Sequence, residues 1–225
     1  MCAGIIRAMN KKMWYRILYV VIGLTVVSIG LAFVRYAVLG VDPFITLVTG
    51  ITRQIGLSFG TTHLLVFLVM LIAVVIFDRG KIGFGTVYAM VVVGYSSDAV
   101  LWLIQMIPVF EQFSIQTRVA SFVLGLAVLY FGVAIYIETN MGVSPYDAIG
   151  LIFVERIKRP HWFRWARICT DALCVIGGAL LQSDIGIGTV LTVLIAGPLI
   201  AFFRKMLART KLFEIIKTEK NSGKA

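Results

Sequence analysis

Few groups in this 225-residue chain can carry a charge or a proton within apolar surroundings. Asp98 stands in "GYSSDAVLW" with Ser96 and Ser97 beside it, and Arg35 and Glu138 lie near the ends of two long apolar runs. A carboxylate in hydrocarbon costs several kcal/mol unless it is paired, protonated or facing water. Asp98 therefore has two readings: it reaches the outer interface or a neighbouring helix, or it is a proton or cation coupling group with Arg35 and Glu138 as network members. Asp42, Ser144, Tyr146 and Asp147 cluster in "GVDPF" (40–44) and in "GVSPYD" (142–147). Covalent and metal chemistry find little support. His63 and His161 have no Cys or carboxylate at metal-ligand spacing, and Cys2, Cys169 and Cys174 form no disulfide framework. There is no His/Glu/His set, Ser–His pairing or duplicated acidic pair, so no enzyme, metal or cofactor is expected.

The elements that must position these groups follow from composition. Hydrophobic residues make up 60% of the chain and charged residues 14%, with mean hydropathy +0.95. A soluble domain carries about 25% charged residues. Six apolar runs, 15–38, 61–77, 86–107, 118–138, 167–182 and 188–204, read as membrane spans. Two segments, 43–56 and 145–155, fall short of the roughly 17 residues a spanning helix needs. The net charge of +10 comes from blocks between apolar runs, which membrane topology explains without nucleic acid. No cleavable signal peptide is evident, because the run after Arg16 is too long for one.

The two short segments belong to a longer correspondence. At an offset of 102, Arg16 falls on Arg118, Gly23 on Gly125, Gly30 on Gly132, Gly40 on Gly142 and Pro43 on Pro145. At an offset of 103, "IGFGTV" (82–87) falls on "IGIGTV" (185–190). The reading is an internal duplication, 14–108 and 116–205, followed by a basic cytoplasmic tail, 206–225, all within one membrane domain. Three spans per half place the second half upside down. With both termini cytoplasmic, the blocks at Arg79–Lys81 and at 156–167 lie inside, in keeping with the positive-inside rule. The rival layout makes the short segments full crossings, giving eight spans and parallel repeats; it would place Arg79 and Lys81 outside.

Asp42 and Ser144 read as helix N-caps with Pro43 and Pro145 at the first helical position, and Asp147 completes a variant capping box. Gly40 and Gly142 permit a bend at positive φ. The two helices are either surface re-starts or broken, re-entrant half-helices of the kind that frame a midplane substrate site in inverted-repeat transporters. On the second view Asp42, Pro43, Thr46, Ser144, Pro145, Tyr146, Asp147, Thr86, Thr189, Asp98, Arg35 and Glu138 are candidate substrate-binding residues. Gly83, Gly85, Gly186 and Gly188 then read as packing glycines, with Thr86 and Thr189 bonding across helices. Thr46, Thr49 and Thr52 share a helix face, lining a polar path or satisfying backbone carbonyls.

These GVxP and IGxGT elements, with the size of the chain, resemble the YczE/YyaS-like bacterial integral membrane proteins, relatives of the YitT group. The resemblance covers about residues 14–205 and implies a plasma-membrane protein; it supplies no catalytic residue. The fold class expected is an all-α polytopic membrane bundle of six transmembrane helices and two short helices in two inverted repeats. The function expected is a small secondary transporter or exporter of a small polar or ionic solute. The alternative is a non-transporting membrane partner of another system. Lipid and an unidentified small solute are the expected partners, nucleic acid is not, and self-association into a homo-oligomer stays open.

Overall fold

A computed structural model describes residues 2–111, 114–158 and 163–209, and among them every regular element is helical. His161 and most of the basic tail, from residue 210 on, lie outside the described residues. Among the described residues eight helices of more than one turn build the bundle: α1 Cys2–Ala37, α2 Pro43–Ile55, α3 Phe59–Phe77, α4 Phe84–Gln105, α5 Ile115–Glu138, α6 Pro145–Ile157, α7 Phe163–Leu180 and α8 Ile187–Leu207. Five of them (Met13–Ala37 of α1, then α3, α4, α5 and α8) are long and apolar enough to cross a bilayer. The sixth expected span, 167–182, appears as α7, which has 18 residues and carries Arg164, Arg167 and Asp171. The protein is an all-α membrane helix bundle.

The centre of the bundle is an antiparallel pair, α1 and α5. A Cβ added to Gly23 would meet the carbonyl of Gly132 at 3.1 Å, and one added to Gly125 would meet the carbonyl of Gly30 at 2.9 Å. Glycines seven residues apart thus let two backbones touch where larger side chains would hold them 8–10 Å apart. Helix α4 packs against α1, and α8 packs against α5. The short helices cross over: α2 lies against α7, and α6 lies against α3. Val20, Leu24, Leu31, Val34, Phe122 and Leu126 fill the core between the pairs.

Loop chemistry holds the short helices in place. Gly40 and Gly142 adopt φ +104° and +106°, a region that a β-branched residue enters only at a cost. Asp42 caps α2, its carboxylate accepting from the Phe44 and Ile45 amides at 3.0 and 3.3 Å. Ser144 caps α6 by accepting from the Asp147 amide at 3.2 Å. The expected capping box closes differently: the Asp147 carboxylate takes the Ser144 hydroxyl at 3.0 Å rather than the N-cap amide. Arg118, one turn into α5, donates to the carbonyls of Ala37 and Val38 and so closes the C-terminus of α1. Helix α4 contains one π-helical segment, Ala89–Val93, and α8 has Pro198 at its interior. Both devices interrupt the regular backbone ladder.

Candidate functional site

Two loops grip each other's partners across the bundle. The Gly85 amide donates to the Met141 carbonyl at 2.9 Å, and the Gly188 amide donates to the Leu39 carbonyl at 2.8 Å. Each bond joins an IGxGT glycine of one half to the residue just before the GVxP of the other. A Cβ on Gly142 would lie 2.5 Å from Thr86 Oγ1, and one on Gly40 would lie 2.6 Å from Thr189 Oγ1. Gly83 and Gly186 have extended backbone, and their need is closeness: added Cβ atoms would collide with the Met141 and Leu39 carbonyls. Thr86 donates across to the Val143 carbonyl at 2.8 Å. Thr189 is buried, and its hydroxyl makes no hydrogen bond among the described residues.

This grip sets the starts of α2 and α6 head to head. Phe44 and Tyr146, second residues of the two helices and 102 positions apart, pack with ring centroids 5.1 Å apart. The positive ends of two helix dipoles therefore converge. Side chains of α7 complete the place. Arg167 pairs with Asp147 of α6, lies 3.4 Å from Asp171 and stands over the Tyr146 ring at 4.7 Å. The Tyr146 hydroxyl donates to the Asp171 carboxylate. Asp42 is within electrostatic reach of both Arg167 and Asp171, and Tyr130 is within reach of Asp42 and Arg167. Two carboxylates thus contact one guanidinium, with the Asp42 carboxylate within electrostatic reach, at the meeting point of two helix N-termini. The arrangement can hold a small charged or polar group by hydrogen bonds and charge, with no covalent step.

Around Phe44, which matches Tyr146 at the offset of 102, the first half forms an aromatic box instead. Phe44 stacks on Phe67 at 4.7 Å, and His63 packs against Phe44, Phe59 and Phe67 at 5.9, 5.7 and 4.4 Å. His63 is 2% exposed, and its Nδ1 has no hydrogen-bond partner among the described residues.

The Family of unknown function (DUF6198) matches residues 14–205. The chain belongs to that family. It is 31% identical over 193 residues to the uncharacterized protein YyaS of Bacillus subtilis, covering 85% of this chain and 94% of that one. It is 20% identical over 196 residues to the uncharacterized membrane protein YczE of the same organism, covering 86% and 87%. No solved structure matches.

Of the residues singled out by type and spacing, Asp42, Ser144, Tyr146 and Asp147 meet in one place in this family member, with Pro43 and Pro145 buried beneath them. Thr46 is buried one turn away and donates to the Asp42 carbonyl at 3.0 Å; Thr52 donates to the Val48 carbonyl at 2.8 Å. The threonine face therefore serves the backbone. Arg35 and Asp98 lie elsewhere, paired at 2.9 Å, with Arg35 also donating to Ser97 and standing 3.7 Å over the Phe59 ring. Asp98 accepts from the Gly60 amide at 2.7 Å and so anchors the start of α3. Glu138 does not join that network; it pairs with Arg204 of α8. Arg167 and Asp171 escape a reading by motif. Their signal was an opposite-charge pair four residues apart in an apolar helix.

Proposed function

We propose that the protein is a secondary transporter of a small polar or ionic solute, built as an inverted internal duplication in the plasma membrane. Both termini face the cytoplasm, and the solute site lies where α2 and α6 meet. The observation that carries the reading is the convergence of two short-helix N-termini on the Asp42, Tyr146, Asp147, Arg167 and Asp171 group. Broken helices pointing their ends at a midplane site are how inverted-repeat transporters hold ions and polar solutes. The antiparallel α1 and α5, which correspond at an offset of 102, support the inversion.

A second reading, a non-transporting partner of another membrane system, is favoured by one feature. A surface depression of about 780 Å³ lies on the outer face of α5, lined by Ile115, Val119, Val123 and Ala127, where a partner helix could seat. Reconstitution separates the two. Purified protein in proteoliposomes should give solute-dependent uptake or efflux for at least one member of a panel of small cations, anions and zwitterions. The orientation has its own check. A cysteine replacing Gly80 in a cysteine-free chain should react with an impermeant maleimide only from the cytoplasmic side. Labelling from outside would overturn the inverted layout.

A further inference from the structure

The far ends of the two short helices are tied down by ion pairs that correspond to each other with their charges exchanged. At the end of α2, Arg53 pairs with Asp184 in the α7–α8 connection and donates to the Gln182 carbonyl at 2.6 Å. At the end of α6, Glu155 pairs at 2.8 Å with Lys81 in the α3–α4 connection, and Lys81 also meets Asp78 at 3.3 Å. Position 53 falls on 155 at the offset of 102, and 81 falls on 184 at the offset of 103. The base sits on the helix in one pair and on the connection in the other.

From these pairs we infer two gates, and the inference rests on the transporter reading. Arg53–Asp184 closes the seam between α2 and α7 at one end of the bundle, and Lys81–Glu155 closes the seam between α6 and α3 at the other. Each seam leads from a surface to the central group. The first is lined by Thr46, Gly50, Gly178 and Ser183, where a Cβ on Gly178 would lie 2.6 Å from Thr46. The second is lined by Val74, Ala148 and Ile152. Thr46 and Ala148 are corresponding positions, 0% and 1% exposed, so both seams are shut.

The energetics suit a gate. Exposed ion pairs contribute about 0.2–1 kcal/mol. A latch of that strength holds a seam shut yet releases when a bound solute favours the open form by a comparable amount. The glycine grips at the other ends of α2 and α6 stay fixed and act as pivots.

Cysteine accessibility tests this without any solute. In a cysteine-free chain, Thr46→Cys and Ala148→Cys report the first and second seams to an impermeant maleimide in vesicles of known orientation. Asp184→Asn should raise the labelling rate of position 46 about two- to fivefold from the outside and leave position 148 unchanged. Glu155→Gln should raise position 148 about two- to fivefold from the inside and leave position 46 unchanged. The exchanged pairs, Arg53→Asp with Asp184→Arg and Lys81→Glu with Glu155→Lys, should restore the slow rates. Unchanged rates, a joint rise at both positions, or failure of the exchanged pairs to restore closure would overturn the gates. Solute movement is not read in this experiment, so a failure of transport in proteoliposomes and a failure of the gates are told apart.

Discussion

Leu39–Val41 and Met141–Val143 sit in matching grips: each offers a carbonyl to an IGxGT glycine, turns at a glycine near φ +105° and starts a helix at a buried proline. The side chains that meet just beyond them do not match. Phe44, His63 and Phe67 pack as an aromatic box in the first half, while Tyr146, Arg167 and Asp171 form an ion-paired, hydrogen-bonded set in the second. Backbone placement is thus held in common and chemistry is not. The lesson is that the loops are frame and that the polar chemistry is concentrated in α6 and α7, with Asp42 as the first half's contribution; the proposed solute site follows that asymmetry.

The largest expected effects strike the shared frame and should be equal in both halves. Gly40→Val and Gly142→Val each force a β-branched side chain into positive φ and onto a threonine hydroxyl, on the order of 3–5 kcal/mol together. Pro43→Ala and Pro145→Ala remove no helical hydrogen bond and should each cost less than about 1 kcal/mol. Thermal unfolding in detergent reads all four, and a marked difference between the two glycines would break the equivalence.

Next come the residues that differ. Arg167→Gln leaves Asp147 and Asp171 without their cation; with the Arg167 side chain 37% exposed, the loss should be about 1 kcal/mol. In the first half's box, His63→Gln trades ring packing for an amide among aromatic rings and should cost roughly 2 kcal/mol. Equal losses in the same unfolding assay would erase the contrast between ionic and aromatic halves.

A smaller effect separates two helix ends. Val38 and Asn140, 102 positions apart, both adopt left-handed backbone, at φ +49° and +51°. Asparagine tolerates that region and valine does not. Val38→Asn should therefore raise stability by roughly 0.5–1 kcal/mol, read as an upward shift of the melting temperature, while Asn140→Val should lower it.

The smallest effect concerns the α3–α4 connection. The Gly80 amide, first, and then Lys81 hold the Asp78 carboxyl below its ordinary value. Its contribution is complete above the ordinary carboxylate range and fades as pH falls through the lowered value. Exchange protection of the Gly80 amide, corrected for intrinsic rate, should hold through the ordinary carboxylate range and fall only as pH drops below it. Asp78→Asn should flatten that dependence.

The frame was legible because it is written in residue types with few alternatives. Glycine is required where a carbonyl of the other half approaches Gly83 or Gly186, and Asp42-Pro43 and Ser144-Pro145 announce helix starts whatever surrounds them. The central group was half legible: α6 supplied its members through the repeated motif, but Arg167 looked like one more basic residue at the mouth of a span. Topology explained it too readily. The partners of Arg53, Glu138 and Lys81 lie 131, 66 and 74 positions away along the chain. Spacing along one helix carries no information about such pairs; the packing of α2 onto α7, of α6 onto α3 and of α8 onto α5 creates them.

The most direct test of the claim that solute passes by the second half's ionic group is electrical. Proteoliposomes holding the wild-type chain, Arg167→Gln or His63→Gln are adsorbed on a solid-supported membrane and exposed to the same panel of small cations, anions and zwitterions. The account predicts solute-dependent charge movement in the wild type and in His63→Gln, and its loss in Arg167→Gln reconstituted to the same density. Currents that survive Arg167→Gln unchanged, or that vanish equally in both variants, would contradict it.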